Sequence, residues 1–163
     1  MATLSFGPIT DKNVEMLRKI NLQIFPARYN DTFYGDVLFT PRGYTKFAYW
    51  DGYIVGAICC RLESQDERPH AQRAYIMTLG VLAPYRQFQI GSALVRSIIK
   101  HAVADNIDDI YLHVQTSNDV ALCFYRSFGF EITEIIRDYY KHIDPPDCYV
   151  LVKKLSTKAT NFP

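Results

Sequence analysis

Residues 74–83 read AYIMTLGVLA, and residues 84–106 read PYRQFQIGSALVRSIIKHAVADN. The first stretch is a β-branched and apolar run. The second breaks at Pro84 and reopens as a helix beginning near Gln89 to Gly91, with Ile90, Leu94, Ile98 and Ala102 on one face. A helix N-terminus exposes unpaired backbone N–H groups and a partial positive charge, so the small-residue, arginine-led turn between strand and helix suits an anion such as a pyrophosphate. Arg86 adds charge-assisted hydrogen bonds there. A strand, a turn and a helix with one glycine is also an ordinary connection, so this segment alone leaves the chemistry open.

Toward the N-terminus, residues 45–50 and 53–63 are β-branched and aromatic runs joined by Asp51-Gly52, a strong hairpin signal. Residues 3–8 read as a short strand ended by Pro8. After Thr10 and Asp11, Val14, Leu17, Ile20 and Ile24 recur at helical spacing until Phe25 and Pro26 stop the helix. The aromatic, turn-rich FPARYNDTFYGDV predicts a loop leading into a short helix near 31–39. The polar stretch ESQDERPHAQR, residues 63–73, predicts an exposed loop.

Toward the C-terminus, DIYLHVQ (109–115) predicts a strand and NDVALCFYRSF (118–128) a helix closed by Gly129 in a left-handed cap. FEITEII and CYVLVKKL follow as strands, separated by RDYYKHIDPPD. The order β-α-α-β-β-β-α-β-α-β-β predicts an α/β (α+β mixed) sheet flanked by helices, one domain over residues 1–155, and a short polar tail over 156–163. No G-x-G-x-x-G follows a strand, which argues against a dinucleotide-binding unit.

With 163 residues, 48% of them apolar and 21% charged, the chain has the composition of a self-folding globular domain. Its net charge of +1 offers no broad phosphate-neutralising surface, so nucleic acid is not an expected direct partner. Cys59, Cys60, Cys123 and Cys148 contain no CxxC spacing, which excludes a zinc knuckle or a redox pair of that type. The leading MATLSFGPITDKN lacks the features of a signal peptide, and no apolar run approaches the ~20 residues of a membrane span. The expected setting is soluble and cytoplasmic, with nuclear presence compatible.

The element order and the turn around residues 86–92 resemble the GCN5-related N-acetyltransferase family. FPARYND, YIMTLGVLAPYR, IYLHVQTSN, FYRSFGFEI and YYKHIDPPDCYV are similar to blocks of its branch that acetylates the N-terminal amine of proteins, the NatE type. The resemblance implies a central mixed sheet with about four helices, acetyl-CoA as cofactor and no metal. It implies that YIMTLGVLA and IYLHVQ splay, with the pantetheine arm beside Leu79, Gly80 and Val81. The pyrophosphate would meet Arg86, Gln87, Gln89, Ile90, Gly91 and Ser92, and the helix carrying Asn118 and Tyr125 would form the other wall.

By the same resemblance Tyr75 and His113 are catalytic. A neutral amine must be produced for attack on a thioester, and the ordinary pKa of histidine suits a mild base; Tyr75 would share a relay water with it. Phe25, Pro26, Tyr29, Met77, Tyr139, Tyr140, Lys141, His142 and Ile143 would line a pocket for an N-terminal methionine followed by a hydrophobic residue or another that spares the methionine. Implied partners are nascent-chain N-termini, the subunits of the NatA complex and, through them, the ribosome, with some lysine side-chain acetylation. A small-molecule amine acetyltransferase and a catalytically weak partner subunit are the competing readings. One departure stands out: Gln89 occupies a position where the family carries glycine. Ordinary helical φ would tolerate it, whereas positive φ would be costly for a side chain.

Overall fold

The computed structural model describes residues 2–65 and 68–155; the polar tail expected at 156–163 lies outside the described residues. Seven strands form a mixed sheet: β1 (Leu4–Pro8), β2 (Thr45–Trp50), β3 (Tyr53–Gln65), β4 (Arg68–Val81), β5 (Asp109–Gln115), β6 (Glu131–Ile136) and β7 (Cys148–Lys154). Their order across the sheet is β1-β2-β3-β4-β5-β7-β6. The helices are α1 (Val14–Ile24), α2 (Asp31–Phe39), α3 (Ile90–Ala104) and α4 (Asp119–Arg126), with a 3₁₀ helix at Ala83–Phe88. The chain divides into two compact units, Met1–Leu62 with Ile76–Asp105, and Glu63–Tyr75 with Asn106–Pro163.

The first unit holds β1, the β2–β3 hairpin, the end of β4 and helices α1 to α3. Asp51 (φ 49) and Gly52 (φ 85) both adopt the positive φ that a tight hairpin of right-handed twist demands. Asp51 also accepts from the Thr3 N–H at 2.8 Å and donates its own N–H to the Thr3 carbonyl at 2.9 Å, which fixes β1 beside the hairpin. Leu17 and Ile20 of α1 and Tyr34 and Val37 of α2 pack with Ile9, Phe47, Ala57 and Cys59 into a core cluster. Inside it the Asn21 amide donates to the Tyr34 hydroxyl at 3.3 Å, satisfying a buried polar group. Asn30 caps α2 by accepting from the Phe33 N–H at 3.1 Å. Helix α3 buries Ile90, Leu94, Ile98 and Ala102, the stripe its sequence spacing predicts, together with Val95. Burial pushes the Cys59 thiol up to about 12, so it acts as a small apolar side chain.

The second unit holds the start of β4, β5, α4, β6 and β7. Strand β7 lies antiparallel between β5 and β6, and β5 runs parallel to β4 through Arg73↔Asp109, Ala74↔Ile110 and Tyr75↔Tyr111. Gly129 takes φ 91 where α4 ends, and the Phe130 N–H returns to the Tyr125 carbonyl at 3.2 Å, the left-handed closure expected of it.

The polar stretch 63–73, expected as an exposed loop, is instead strand on both sides of residues 66 and 67, which are not among the described residues. Its charge misleads because strand pairing is a backbone property and these polar groups are satisfied across strands. Glu63 accepts the Tyr111 hydroxyl, and the Arg73 Nε donates to Asp109 at 2.8 Å. A second difference is the 3₁₀ helix over Ala83–Phe88, where a simple turn was expected.

Candidate active site

Strand β5 alternates strictly: Ile110, Leu112 and Val114 are buried, so Tyr111 and His113 project from the opposite face. Tyr75 lies opposite Tyr111 in the parallel ladder, and their rings stack at 4.8 Å between centroids with 26° between planes. This register brings the Tyr75 hydroxyl to 2.9 Å from His113 Nδ1. The pair expected to act through a shared water is thus in direct hydrogen-bonding contact.

His113 is also covered by Tyr139, whose ring stacks on the imidazole at 4.6 Å and 24° and whose hydroxyl lies 3.4 Å from Nδ1. Tyr139 belongs to the irregular connection between β6 and β7. That connection is pinned by Asp147, which accepts from Arg137 Nη1 at 2.8 Å and from the Asp138 N–H at 2.9 Å. The Gln115 amide holds it at the Pro145 carbonyl, 2.9 Å away. Tyr140 packs edge-on against Tyr139 at 5.0 Å, while Lys141, His142 and the half-exposed Ile143 follow on the surface. Burial pushes the His113 pKa below its ordinary 6.5, with Glu134 and Glu63 pulling the other way. The imidazole is therefore neutral at pH 7 and able to accept a proton.

The remaining predicted residues of the first unit form two groups. Phe25 meets Tyr29 edge-on at 5.8 Å, and Tyr29 stacks on Phe33 at 4.6 Å; Pro26 is exposed beside them, and Met77 packs partly buried against the core cluster. A Cβ placed on Gly80 would lie 2.8 Å from Ile24 Cγ2 and 2.8 Å from Phe25 Cζ, so only glycine lets the Phe25 ring approach β4 this closely. Leu79, Gly80 and Val81 are the end of that strand.

The second group is the turn into α3. Arg86, Gln87 and Gln89 are exposed, Gly91 and Ser92 half-buried, and Ile90 is buried as the first helical residue. Arg86 Nε donates to the Val81 carbonyl at 2.9 Å, which fixes the guanidinium on the strand end and engages one of its five N–H donors. Gln89 sits at φ 59, ψ 31, the left-handed region. Of the two alternatives for this departure, the structure takes the costly one: the backbone keeps the glycine conformation although the glycine is gone. No acidic residue stands in the first turn of α3, which preserves its positive N-terminal field for an anion.

In the second unit Asn118 caps α4, its side chain accepting from the Ala121 N–H at 3.1 Å, which leaves the side-chain amide group as donor. Tyr125 is buried, its ring edge-on to Phe130 at 5.5 Å. Sequence reasoning missed Tyr111, Glu63, Glu134 and Arg73. The alternation of DIYLHVQ could have found Tyr111, because any residue two before His113 must share its face. Among the described residues no cluster of His, Cys, Asp and Glu could hold a metal ion, and no helix is long and apolar enough to cross a membrane.

The sequence model of the acetyltransferase (GNAT) family matches residues 14–130. The chain belongs to this family. As a GNAT protein it is 45% identical over 153 residues to N-alpha-acetyltransferase 50 of Danio rerio, covering 93% of this chain and 89% of that one. It is 43% identical over 161 residues to the probable N-acetyltransferase san of Drosophila melanogaster, covering 98% and 85% respectively. Its fold superposes on Arabidopsis thaliana Naa50 in complex with the bisubstrate analogue CoA-Ac-MVNAL, with a TM-score of 0.86 and 47% identity over 93% of this chain and 99% of that one. The GNAT assignment accounts for the mixed sheet and its flanking helices.

Proposed function

We propose that this protein transfers an acetyl group from acetyl-CoA to the N-terminal α-amine of other proteins, with methionine as the preferred first residue. The observation that carries this reading is the 2.9 Å contact between the Tyr75 hydroxyl and His113 Nδ1, on an imidazole that burial keeps neutral. The residues around the α3 N-terminus fit the cofactor: an unopposed helix N-terminus, an anchored Arg86 and the small Gly91 and Ser92 suit a pyrophosphate. Acetyl-CoA supplies the acyl group there as a thioester.

The chain's own part is proton handling. Neutral His113 accepts at Nδ1 the hydroxyl proton of Tyr75 as the Tyr75 oxygen takes a proton from the amine. Freeing an α-amine of its proton at pH 7 takes on the order of 1 kcal/mol, and freeing a lysine side chain about 4 to 5 kcal/mol. A mild base such as this pair therefore favours N-termini, with lysine acetylation as a slow side activity. Phe25, Tyr29 and Met77 offer aromatic and apolar surface for a methionine side chain. The peptide MVNAL in the analogue bound to Arabidopsis thaliana Naa50 begins with methionine, which supports the same preference.

The same proposal includes a single N-acetyltransferase domain over residues 1–155, a cytoplasmic setting with nuclear presence, and association with NatA subunits at the ribosome. The test is initial-rate acetylation of peptides that differ in their first two residues. Met-Leu and Met-Val peptides should exceed Ser- and Ala-initiated ones by at least about tenfold in kcat/KM, a difference of roughly 1.4 kcal/mol. Equal rates on all peptides, or exclusive reaction with small amines, would overturn the assignment.

A further inference from the structure

Tyr75 stands on the half-exposed face of β4. Its hydroxyl must stay within hydrogen-bond reach of His113 Nδ1 for the pair to move a proton. The neighbouring strand supplies the constraint. Tyr111 is held by stacking on Tyr75 at 4.8 Å and by the Arg73 guanidinium, 4.0 Å from the ring centroid. Arg73 is held in turn by Asp109, with Nε and Nη2 at 2.8 and 3.3 Å from its two oxygens. The Tyr111 hydroxyl donates to Glu63, which fixes the far end of the ring. His113 completes the stack edge-on to both tyrosines, at 5.3 Å from Tyr75 and 6.0 Å from Tyr111.

We propose that Tyr111 is a positioning residue for acetyl transfer: clamped by Arg73 and tied to Glu63, its ring holds the Tyr75 hydroxyl against His113 Nδ1. This deepens the acetyltransferase reading and rests on it. Tyr111 stacks on Tyr75 at 4.8 Å and meets His113 edge-on at 6.0 Å, so it acts through the placement of that pair. Glu63 serves twice, as the anchor of the Tyr111 hydroxyl and as one of two carboxylates, with Glu134 on β6, whose charge favours a protonated His113. Around the pair stand the charged and titratable groups Glu63, Arg73, Tyr111, Glu134 and Tyr139.

The test compares Tyr111→Leu, Tyr111→Phe and Glu63→Gln, each alone and in a Tyr75→Phe background. It reads kcat and KM on a Met-Leu peptide, acetyl-CoA affinity, and the His113 titration by NMR. Tyr111→Leu should lower kcat at least about tenfold without weakening acetyl-CoA, since a misplacement of about 1 Å can reduce rates by that order or more. Tyr111→Phe keeps the ring and should restore most of the rate. In the Tyr75→Phe background, Tyr111→Leu should have no further effect, because groups acting as a unit are non-additive. Glu63→Gln should move the His113 midpoint to lower pH. Unchanged kcat in Tyr111→Leu, or losses that multiply with Tyr75→Phe, would overturn the proposal. Should the leucine variant fail to fold, Glu63→Gln decides: a kcat loss equal in the presence and absence of the Tyr75 hydroxyl would overturn it too. If the wild-type protein acetylates no N-terminal peptide, the proposed function falls. The NMR arm still decides this inference, which predicts that Tyr111→Leu and Tyr75→Phe shift the His113 midpoint in the same direction and not additively.

Discussion

The surroundings of His113 and the turn into α3 are candidate sites built in two different ways. Around His113 the chemistry is all side chain: Tyr75, Tyr111 and Tyr139 are placed by strand register and by a pinned connection, and exchanging one removes a specific atom. At the turn the chemistry is backbone and helix field, to which nearly any residue contributes an N–H. That difference explains why the second region can carry Gln89 in the left-handed region, φ 59, and lose no backbone N–H. A side-chain site is specified by identity, and a backbone site by shape.

The largest effects should therefore come from His113 and Tyr75. His113→Ala and Tyr75→Phe are each expected to lower kcat by about 10² to 10⁴, the usual contribution of general acid–base catalysis, with acetyl-CoA affinity little changed. The double variant should be hardly worse than either single one, as the direct 2.9 Å contact makes them one device. The sign of the pH dependence follows from the lowered pKa of His113. Between the folded value and the ordinary 6.5, the unfolded chain binds more protons, so the stability contributed by the neutral ring is full above 6.5 and is lost as pH falls. Wild-type kcat should fall over the same acid window, and His113→Ala should abolish that limb. Rate profiles from pH 5 to 9 and thermal midpoints over the same range check both. An acid limb that survives in His113→Ala would break the assignment of the base.

An intermediate effect is expected where the two kinds of site meet in one residue. Gly80 belongs to the strand end, yet its missing Cβ is what admits Phe25. Gly80→Ala would place a methyl group 2.8 Å from both Ile24 Cγ2 and Phe25 Cζ, atoms of a packed core and a ring that must shift. Overpacking of this kind typically costs 1 to 3 kcal/mol, a fall in Tm on the order of 5 °C for a chain this size. Because Phe25 is displaced, KM for the peptide should rise more than KM for acetyl-CoA. Differential scanning and two-substrate kinetics would show it; an unchanged peptide KM would remove Phe25 from the substrate surface.

Much of this was legible in the sequence, for reasons that differ by element. The α3 stripe, the Asp51-Gly52 hairpin and the Gly129 cap are local: spacing and φ requirements determine them without tertiary help. The pairing of Tyr75 with His113 came from the family resemblance, not from spacing, and the structure places the two in contact. The strand character of 63–65 and 68–73 was hidden because Glu63 and Arg73 look solvated until their partners on β5, Tyr111 and Asp109, are known. Tyr139 was placed on the peptide surface, but its stacking on His113 depends on a connection closed by Asp147, Arg137 and Pro145, a geometry no periodicity encodes.

The smallest expected effect tests the backbone half of the comparison. A side chain in the left-handed region is disfavoured by roughly 1 kcal/mol or more, and glycine removes that penalty while adding about 0.5 to 1 kcal/mol of backbone entropy to be lost on folding. Gln89→Gly should therefore change folding stability by less than about 1 kcal/mol, in the stabilising direction if at all. Its effect on acetyl-CoA should be equally modest: affinity unchanged or tighter, because the exposed Gln89 side chain is removed while every backbone N–H remains. Gln89→Pro is the counterpart, since the proline ring locks φ near −65° and removes the N–H. It should abolish acetyl-CoA stabilisation of the fold, which for the wild type amounts to about 2.7 kcal/mol at a ligand concentration of 100 Kd. Calorimetric Kd values and chemical denaturation midpoints for the two variants separate the contributions. An affinity loss beyond about tenfold in Gln89→Gly would mean that the glutamine side chain itself holds the cofactor, and that this turn, like the His113 site, is specified by identity after all.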